Sequence, residues 1–190
     1  MSGPFVVAIV GVSNSGKTTL IEQLLPLLRA RGLRVGTLKH NSHDFAIDYP
    51  GKDTWRHREA GAEVVVIANE GKVAAIRNVR ACPSPAELIA DYMADLDLVL
   101  VEGFKQFPLP KIEVVRAGIG TGPICPIESL EALVTDLAVP DCQLPTFALY
   151  DAPGVAELVL AIAGRTSSGE RVAAHPSGSS TGPRAAGHHI

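Results

Sequence analysis

The sequence has little of what secreted, membrane-bound or nucleic-acid-binding proteins need. In its 190 residues no apolar run reaches the length of a membrane span, and we expect no signal peptide before Phe5. The formal net charge of −3 supplies no basic field for nucleic acid. The 3 cysteines include no Cys-x-x-Cys pair, which argues against a disulfide framework or a zinc site. We therefore expect a cytoplasmic protein that binds neither membrane nor nucleic acid.

A glycine-rich segment is the most informative motif. Residues 11–18 read Gly-Val-Ser-Asn-Ser-Gly-Lys-Thr and match the phosphate-binding P-loop, between an apolar strand at 5–10 and a predicted helix at 19–29. Glycines let the backbone wrap around phosphates, and the helix N-terminus adds positive potential. We expect Lys17 to reach the β- and γ-phosphates and the Thr18 hydroxyl to bind Mg²⁺. The predicted nucleotide-binding residues here are Gly11, Ser13, Asn14, Ser15, Gly16, Lys17, Thr18 and Thr19.

The remaining pattern predicts the fold class. Helical segments alternate with short apolar ones, which together with the P-loop indicates an α/β fold, the three-layer sandwich of P-loop NTPases. We expect a mostly parallel sheet with an antiparallel hairpin extension at residues 63–77, with Gly71 in a left-handed turn position. The other predicted elements are strands at 35–38, 98–101, 111–115, 132–134 and 146–149, and helices at 54–60, 85–94 and 153–163, the last capped by Asp151.

Composition changes near Gly164. We assign residues 1–164 to the P-loop domain and residues 165–190 to a Gly/Ser/Pro-rich tail. The tail cannot bury enough surface to offset its ordering entropy, so we expect it to be disordered. It contains His175, His188 and His189, whose spacing suggests no closed metal site.

A carboxylate follows the predicted strand at residues 98–101. Ligands bind beyond the carboxyl ends of parallel strands, so Glu102 is the expected Mg²⁺ carboxylate, and Gly103 would allow close approach to phosphate. Asp97 precedes the same strand. Five residues at about 3.3 Å each place it roughly 16 Å from Glu102, at the wrong end of the sheet.

A polar cluster follows the predicted strand at residues 35–38. It comprises Lys39, His40, Asn41, Ser42, His43, Asp44 and, further on, Asp48. We assign Lys39 and His40 to nucleotide binding. Asp48, or alternatively Asp44, would ligate Mg²⁺ or orient the water that attacks the γ-phosphate. A surface or hydrogen-bonded structural role fits either histidine equally well.

Two later strand ends carry further candidates. Thr135 and Asp136 follow residues 132–134, where an aspartate would accept hydrogen bonds from the guanine N1–H and 2-amino groups. The alternative role of Asp136 is a loop cap, and no Asn-Lys-x-Asp motif secures the base. Arg116 follows residues 111–115 and would contact phosphate, anchor a second substrate or remain a surface charge.

Together these segments resemble the family of molybdopterin-guanine dinucleotide biosynthesis protein B, MobB. The resemblance spans nearly all of residues 5–164, and its later segments are more selective than the P-loop alone. The segments that carry it are 11–20, 39–43 (Lys-His-Asn-Ser-His), 48–54 (Asp-Tyr-Pro-Gly-Lys-Asp-Thr), 60–62, 98–105 (Leu-Val-Leu-Val-Glu-Gly-Phe-Lys), 110–116 and 134–136.

The resemblance implies a GTP-binding homodimer with weak GTPase activity. It also implies an adapter role toward the guanylyltransferase MobA, which joins GMP to molybdopterin, with molybdopterin itself as a further candidate ligand. By position, Gly16, Lys17 and Thr18 match the family's phosphate and Mg²⁺ residues. Glu102 matches the acidic residue of the second nucleotide motif, and Asp48 matches the acidic residue after the second strand.

Other functions remain open on the residues alone. A P-loop small-molecule kinase needs a lid with several arginines, and Arg56 and Arg58 form the only local cluster past the second strand. A metallochaperone GTPase usually carries a histidine-rich or cysteine-pair site. An interaction module could use the bound nucleotide as a structural element.

No glutamine stands obviously near the P-loop to position a water molecule, which favours slow hydrolysis of the nucleotide. The exposed edge of the hairpin at 63–77 is a candidate dimer surface.

Overall fold

A computed structural model describes residues 3–41, 44–139 and 142–167 of the chain. The strands and α-helices follow one another along the chain in the predicted order. The strands are β1 (Phe5–Val10), β2 (Val35–Lys39), β3 (Val64–Ala68), β4 (Val73–Arg77), β5 (Leu98–Glu102), β6 (Lys111–Val115), β7 (Leu130–Thr135) and β8 (Thr146–Phe147). The helices are α1 (Lys17–Ala30), α2 (Asp53–Glu59), α3 (Pro85–Tyr92) and α4 (Ala152–Ser167).

Six strands form one parallel sheet in the order β2-β5-β1-β6-β7-β8. β1 lies near the middle and pairs with β5 on one side and β6 on the other. All the strands therefore end at the same edge, and the P-loop leaves the sheet from that edge after β1. The predicted α/β class with a mostly parallel sheet is confirmed.

The sheet is covered on both faces, which explains the continuous apolar runs of its central strands. Val7 and Ile9 of β1 pack into a core formed with α1 and α4, whereas Ala8 and Val10 pack into a second core that includes Ile89 of α3. This alternation along one strand produces the three layers. No helix in the described part of the chain is long and apolar enough to cross a membrane.

The helix ends follow their sequence signals. At α3, the Ser84 hydroxyl accepts from the Glu87 N–H while the Glu87 carboxylate accepts from the Ser84 N–H, which is a capping box. At α4, Asp151 Oδ1 accepts from the Gly154 N–H at 3.0 Å, as predicted. This helix runs to Ser167, three residues past the predicted domain boundary. The rest of the predicted tail, 168–190 with its three histidines, lies outside the described residues.

The hairpin differs from expectation in two respects. β3 and β4 are antiparallel as predicted, but they form a two-stranded sheet of their own rather than extending the parallel one. Gly71 does not adopt a left-handed conformation. The Asn69 side chain makes the turn instead, because its Oδ1 accepts the Gly71 N–H at 3.0 Å. Val66 and Ile67 face opposite sides of the hairpin and are 60% and 58% exposed, so neither side is fully covered.

A buried carboxylate on β6 fixes the segment that follows the strand. Glu113 is 1% exposed, and its two oxygens accept the backbone N–H groups of Ile124 at 2.7 Å and Cys125 at 3.0 Å. Burial raises the pKa of the Cys125 thiol, and the nearby Glu113 carboxylate raises it further. Glu113 thus ties the loop after β6 back to the strand.

We expect Glu113→Ala to lower the free energy of unfolding by about 1–3 kcal/mol, because the buried N–H of Cys125 and the partly buried N–H of Ile124 lose their acceptor. Glu113→Gln keeps one acceptor oxygen and should lose less. Urea unfolding of the purified variants provides the measurement. Glu128→Ala, an exposed glutamate nearby, is the control and should change stability by less than about 0.5 kcal/mol. A Glu113→Ala protein as stable as this control would contradict the anchoring role.

Candidate nucleotide site

The P-loop follows β1 in a conformation that requires its glycines. Gly11 and Gly16 have φ values of 137° and 107°, a region that residues with a Cβ rarely adopt. A Cβ on Gly11 would lie 2.3 Å from the backbone oxygen of Val114 on β6, so the loop packs directly on the neighbouring strand. Asn14 is left-handed with φ of 63°, which asparagine tolerates. The Ser15 side chain is fully buried, and its hydroxyl has no hydrogen-bond partner among the described residues.

Lys17 begins α1 and is held across the loop. Its ammonium donates to the Val12 carbonyl at 2.7 Å. Gly16 at the N-cap supplies no side-chain cap, which leaves the first N–H groups of the helix available to an anion. Burial lowers the pKa of Lys17, the Glu102 carboxylate raises it, and Lys39 lowers it.

Glu102 meets the P-loop at the carboxyl edge of the sheet. Its Oε2 accepts from the Thr18 hydroxyl at 3.0 Å, and its Oε1 lies 3.0 Å from the ammonium of Lys39. The register of the sheet places Lys39 of β2 directly beside Glu102 of β5. Asp97 lies at the opposite end of β5, where its carboxylate accepts the Arg34 N–H at 2.7 Å. Glu102 therefore lies at the sheet edge that carries the P-loop, and Asp97 lies at the opposite edge.

Gly103 and His40 are in mutual contact beside this carboxylate. Gly103 has φ of 96°, and a Cβ there would lie 3.3 Å from the His40 Cβ. The imidazole of His40 packs on Phe104 with ring centroids 4.5 Å apart. The space that Gly103 leaves is therefore used by His40 in this structure.

Residues of the P-loop, together with Lys39, His40 and Glu102, line a polar cavity of about 530 Å³. Three cationic side chains and one carboxylate face it, so it suits an anion larger than a single carboxylate, such as a polyphosphate. Arg116, which directly follows β6, belongs to this lining, and so does Asn41. The lining residues are Ser13, Asn14, Gly16, Lys17, Thr18, Thr19, Lys39, His40, Asn41, Glu102 and Arg116.

The donor atoms in the cavity fit a hard divalent cation. The Thr18 hydroxyl and the Glu102 carboxylate are oxygen ligands that converge within hydrogen-bond distance. No group of three or more His, Cys, Asp or Glu residues in the described part of the chain could hold a metal by itself. A cation here would therefore take its remaining ligands from a bound phosphate and water, which is how Mg²⁺ is usually held.

Asp48 lies outside the cavity lining. Its Oδ1 accepts from the Thr54 hydroxyl at 3.0 Å and from the Tyr49 N–H at 2.9 Å, while its Oδ2 is buried without a partner among the described residues. Asp44 likewise accepts from the next backbone N–H, that of Phe45. Ser42 and His43 lie outside the described residues.

Thr135 and Asp136 also lie outside the cavity lining. The Thr135 hydroxyl is buried and accepts from the Leu137 N–H at 3.0 Å. Asp136 is exposed, and its Oδ1 accepts from the Ala117 N–H at 2.7 Å. Asp136 therefore fixes the backbone that follows Arg116. This contact joins two loops that are distant in sequence, so no local sequence pattern identifies Ala117 as its partner.

Comparison with known proteins gives a consistent result. The sequence model of the family described as molybdopterin guanine dinucleotide synthesis protein B matches residues 6–136. The molybdopterin-guanine dinucleotide biosynthesis adapter protein of Haemophilus influenzae is 47% identical over 117 residues, which are 58% of this chain and 63% of that protein. The protein of the same name from Escherichia coli is 40% identical over 124 residues, 62% of this chain and 69% of that protein. The chain thus spans a little under two thirds of the Haemophilus influenzae relative.

Solved structures agree with these matches. The crystal structure of Bacillus subtilis MobB superposes with a TM-score of 0.65 at 30% identity, covering 82% of this chain and 96% of that one. A crystal structure of molybdopterin-guanine biosynthesis protein B gives a TM-score of 0.62 at 32% identity, covering 83% and 99%. The family match includes the P-loop, Lys39 and Glu102, and it extends over more than half of the sequence. The chain therefore belongs to the MobB family.

Proposed function

We propose that this protein binds GTP together with Mg²⁺ and acts as an adapter in molybdopterin guanine dinucleotide biosynthesis. The observation that carries the proposal is the cavity in which Lys17 and Thr18 of the P-loop meet Glu102. The names of the relatives from Haemophilus influenzae and Escherichia coli supply the adapter role. Its partner would be a MobA-like guanylyltransferase that joins GMP to molybdopterin in the cytoplasm. Molybdopterin is a further candidate ligand.

The chemistry of the site supports tight binding more than fast hydrolysis. The P-loop N–H groups and Lys17 would hold the β- and γ-phosphates, and Thr18 and Glu102 would hold Mg²⁺, which neutralises phosphate charge. None of the side chains that line the described cavity is a glutamine that could position water. Asp48 would have to exchange its hydrogen bond with Thr54 to serve the attacking water or the metal. We infer a weak GTPase whose nucleotide acts as a switch or a delivered substrate.

The proposed base preference depends on Asp136. Its Oδ1 accepts from Ala117, but each carboxylate oxygen has two lone pairs, so the group can still accept from guanine. Adenine offers no matching pair of donors. Thr135 would support this end of the nucleotide. Gly103 would allow the phosphates to approach on the other side once His40 moves out of the space beside it.

We expect the protein to bind GTP more tightly than ATP in the presence of Mg²⁺, and more weakly when the metal is chelated. Lys17→Ala should lower GTP affinity by roughly 100-fold or more, because a partly buried cation is lost from the phosphates. Asp136→Asn should lower GTP affinity and leave ATP affinity unchanged. Isothermal titration calorimetry with each nucleotide provides the measurement.

Lys72→Ala serves as the control for these titrations, since Lys72 is an exposed lysine of the hairpin outside the cavity. Equal wild-type affinity for GTP and ATP would count against Asp136 as base reader. A uniform loss of both nucleotides in Asp136→Asn would instead assign Asp136 to holding the Arg116 loop.

Addition of the wild-type protein should raise the rate at which a MobA-like guanylyltransferase forms molybdopterin guanine dinucleotide from molybdopterin and GTP. Lys17→Ala should fail to do so, because it lacks bound nucleotide, whereas Lys72→Ala should match the wild type. The product can be quantified by chromatography. If a Lys17→Ala protein that does not bind GTP still stimulates the guanylyltransferase fully, the adapter role does not require bound nucleotide.

We propose that the protein is a homodimer and that the hairpin forms its interface. Val66 and Ile67 expose apolar surface on both faces of a two-stranded sheet, and its edges are unpaired among the described residues. Val66→Lys should convert the dimer to a monomer in light scattering after gel filtration, because it places a charge in the apolar contact. Tyr92→Lys, at an exposed site on α3, should leave the dimer intact. A wild-type monomer at micromolar concentration would contradict the proposal.

A further inference from the structure

Lys39 and Glu102 form an ion pair in the lining of the cavity, and the pairing of β2 with β5 fixes the positions of both residues. It is the last residue of β2 and pairs in register with Glu102, the last residue of β5. The next residue, His40, donates its backbone N–H to the Glu102 carbonyl at 2.9 Å. The two side chains therefore lie next to each other because of backbone pairing, and not by a chance rotamer.

Glu102 is fully engaged by residues of this chain. One carboxylate oxygen accepts from Thr18 and the other binds Lys39, and the side chain is only 13% exposed. A carboxylate so far removed from water needs a counter-charge, which Lys39 provides. The Lys39 side chain itself is 60% exposed, so its long stem can move without breaking packing.

The same carboxylate is the proposed Mg²⁺ ligand. A divalent cation bound to Glu102 would supply the counter-charge that Lys39 provides in its absence. Two positive groups on one carboxylate would also repel each other. Loading of the site would therefore weaken the attraction between Glu102 and the Lys39 ammonium, which lines the cavity together with Thr18 and Glu102.

We propose that Lys39 is the γ-phosphate-sensing residue, which pairs with Glu102 in the empty protein and transfers to the γ-phosphate when Mg²⁺ and GTP bind. This inference rests on the proposed function. The γ-phosphate lies on the metal side of a P-loop nucleotide, where Lys39 is. Arg116 stands on the other side of β1, after β6, and has no hydrogen bond or ion pair through its side chain within the described residues. Lys39 and Arg116 thus differ in position while contributing the same charge to one cavity.

The consequence is that discrimination between GTP and GDP depends on both Lys39 and Mg²⁺. With the metal present, the wild-type protein should bind a non-hydrolysable GTP analogue more tightly than GDP, because Lys39 is free to contact the γ-phosphate. With the metal chelated, Lys39 remains on Glu102 and the preference should be small.

The test is the ratio of the GDP and GTP-analogue dissociation constants, measured by calorimetry with Mg²⁺ and with chelator. Lys39→Met should reduce this ratio by about 10-fold to 100-fold with Mg²⁺, the usual range for a hydrogen bond to a charged group. It should change the ratio by less than about twofold with chelator. Arg116→Met removes the same charge from the same cavity and should leave the ratio unchanged in both conditions. Circular dichroism melts would confirm that both variants are folded.

The outcomes separate the two proposals. If Lys39→Met weakens GDP and the GTP analogue equally, or acts equally with and without Mg²⁺, Lys39 is not a γ-phosphate sensor and the GTP-binding proposal stands. If Arg116→Met lowers the ratio as much as Lys39→Met, the ratio depends on the total positive charge of the cavity and not on Lys39 in particular, and the inference is wrong. If the wild-type protein binds neither GTP nor its analogue, the proposed function itself fails and this inference fails with it.

Discussion

The parallel pairing of β5 between β1 and β2 is the constraint on which the site depends. In that register, Glu102 lies beside Ile9, two residues before the P-loop, and beside Lys39 at the end of β2. Three chain segments that are far apart in sequence therefore deliver a phosphate loop, a carboxylate and a cation to one edge. A shift of one residue in β5 would turn Glu102 to the other face of the sheet. The apolar residues that bury β5 on both faces hold that register.

The cavity balances positive charge against one carboxylate. Lys17, Lys39 and Arg116 line the cavity together with Glu102, and each belongs to a different segment of the chain. Lys17 is partly desolvated and bound to the Val12 carbonyl, so its position is set before any ligand arrives. Lys39 is more exposed, and within the described residues its ammonium is bound only to Glu102, which leaves it able to exchange partners. The site thus combines one fixed cation with one movable cation.

The central elements could be read from the sequence because local signals there agree with the fold. The bounds of β1 and β6 match the prediction, and the strand-end rule separated Glu102 from Asp97 by simple distance along an extended chain. Asp151 capped its helix as expected because a cap acts within one turn.

The parts that failed or stayed open depend on contacts that sequence order does not encode. The two strands of the hairpin form as predicted, but whether an edge of the hairpin pairs with another sheet depends on tertiary contacts. Gly71 suggested a left-handed turn, whereas the Asn69 side chain provided a competing hydrogen bond. The position of Asp48 after β2 predicts a ligand, and the role stays a prediction, because the hydrogen bonds that Asp48 accepts from Thr54 and Tyr49 depend on the local conformation. Asp136 meets Ala117 across two loops, a contact that depends on the pairing of β6 with β7.

The separation of the hairpin from the parallel sheet affects which insertions and deletions the chain can tolerate during evolution. Since β3 and β4 share no ladder with the parallel sheet in the described residues, a residue added or lost at their turn shifts no register in β1, β2 or β5. Insertions at the turn between β3 and β4 alter the length of the hairpin and do not move the P-loop. The exposed surface of the hairpin can therefore diversify while the residues at the sheet edge keep their positions.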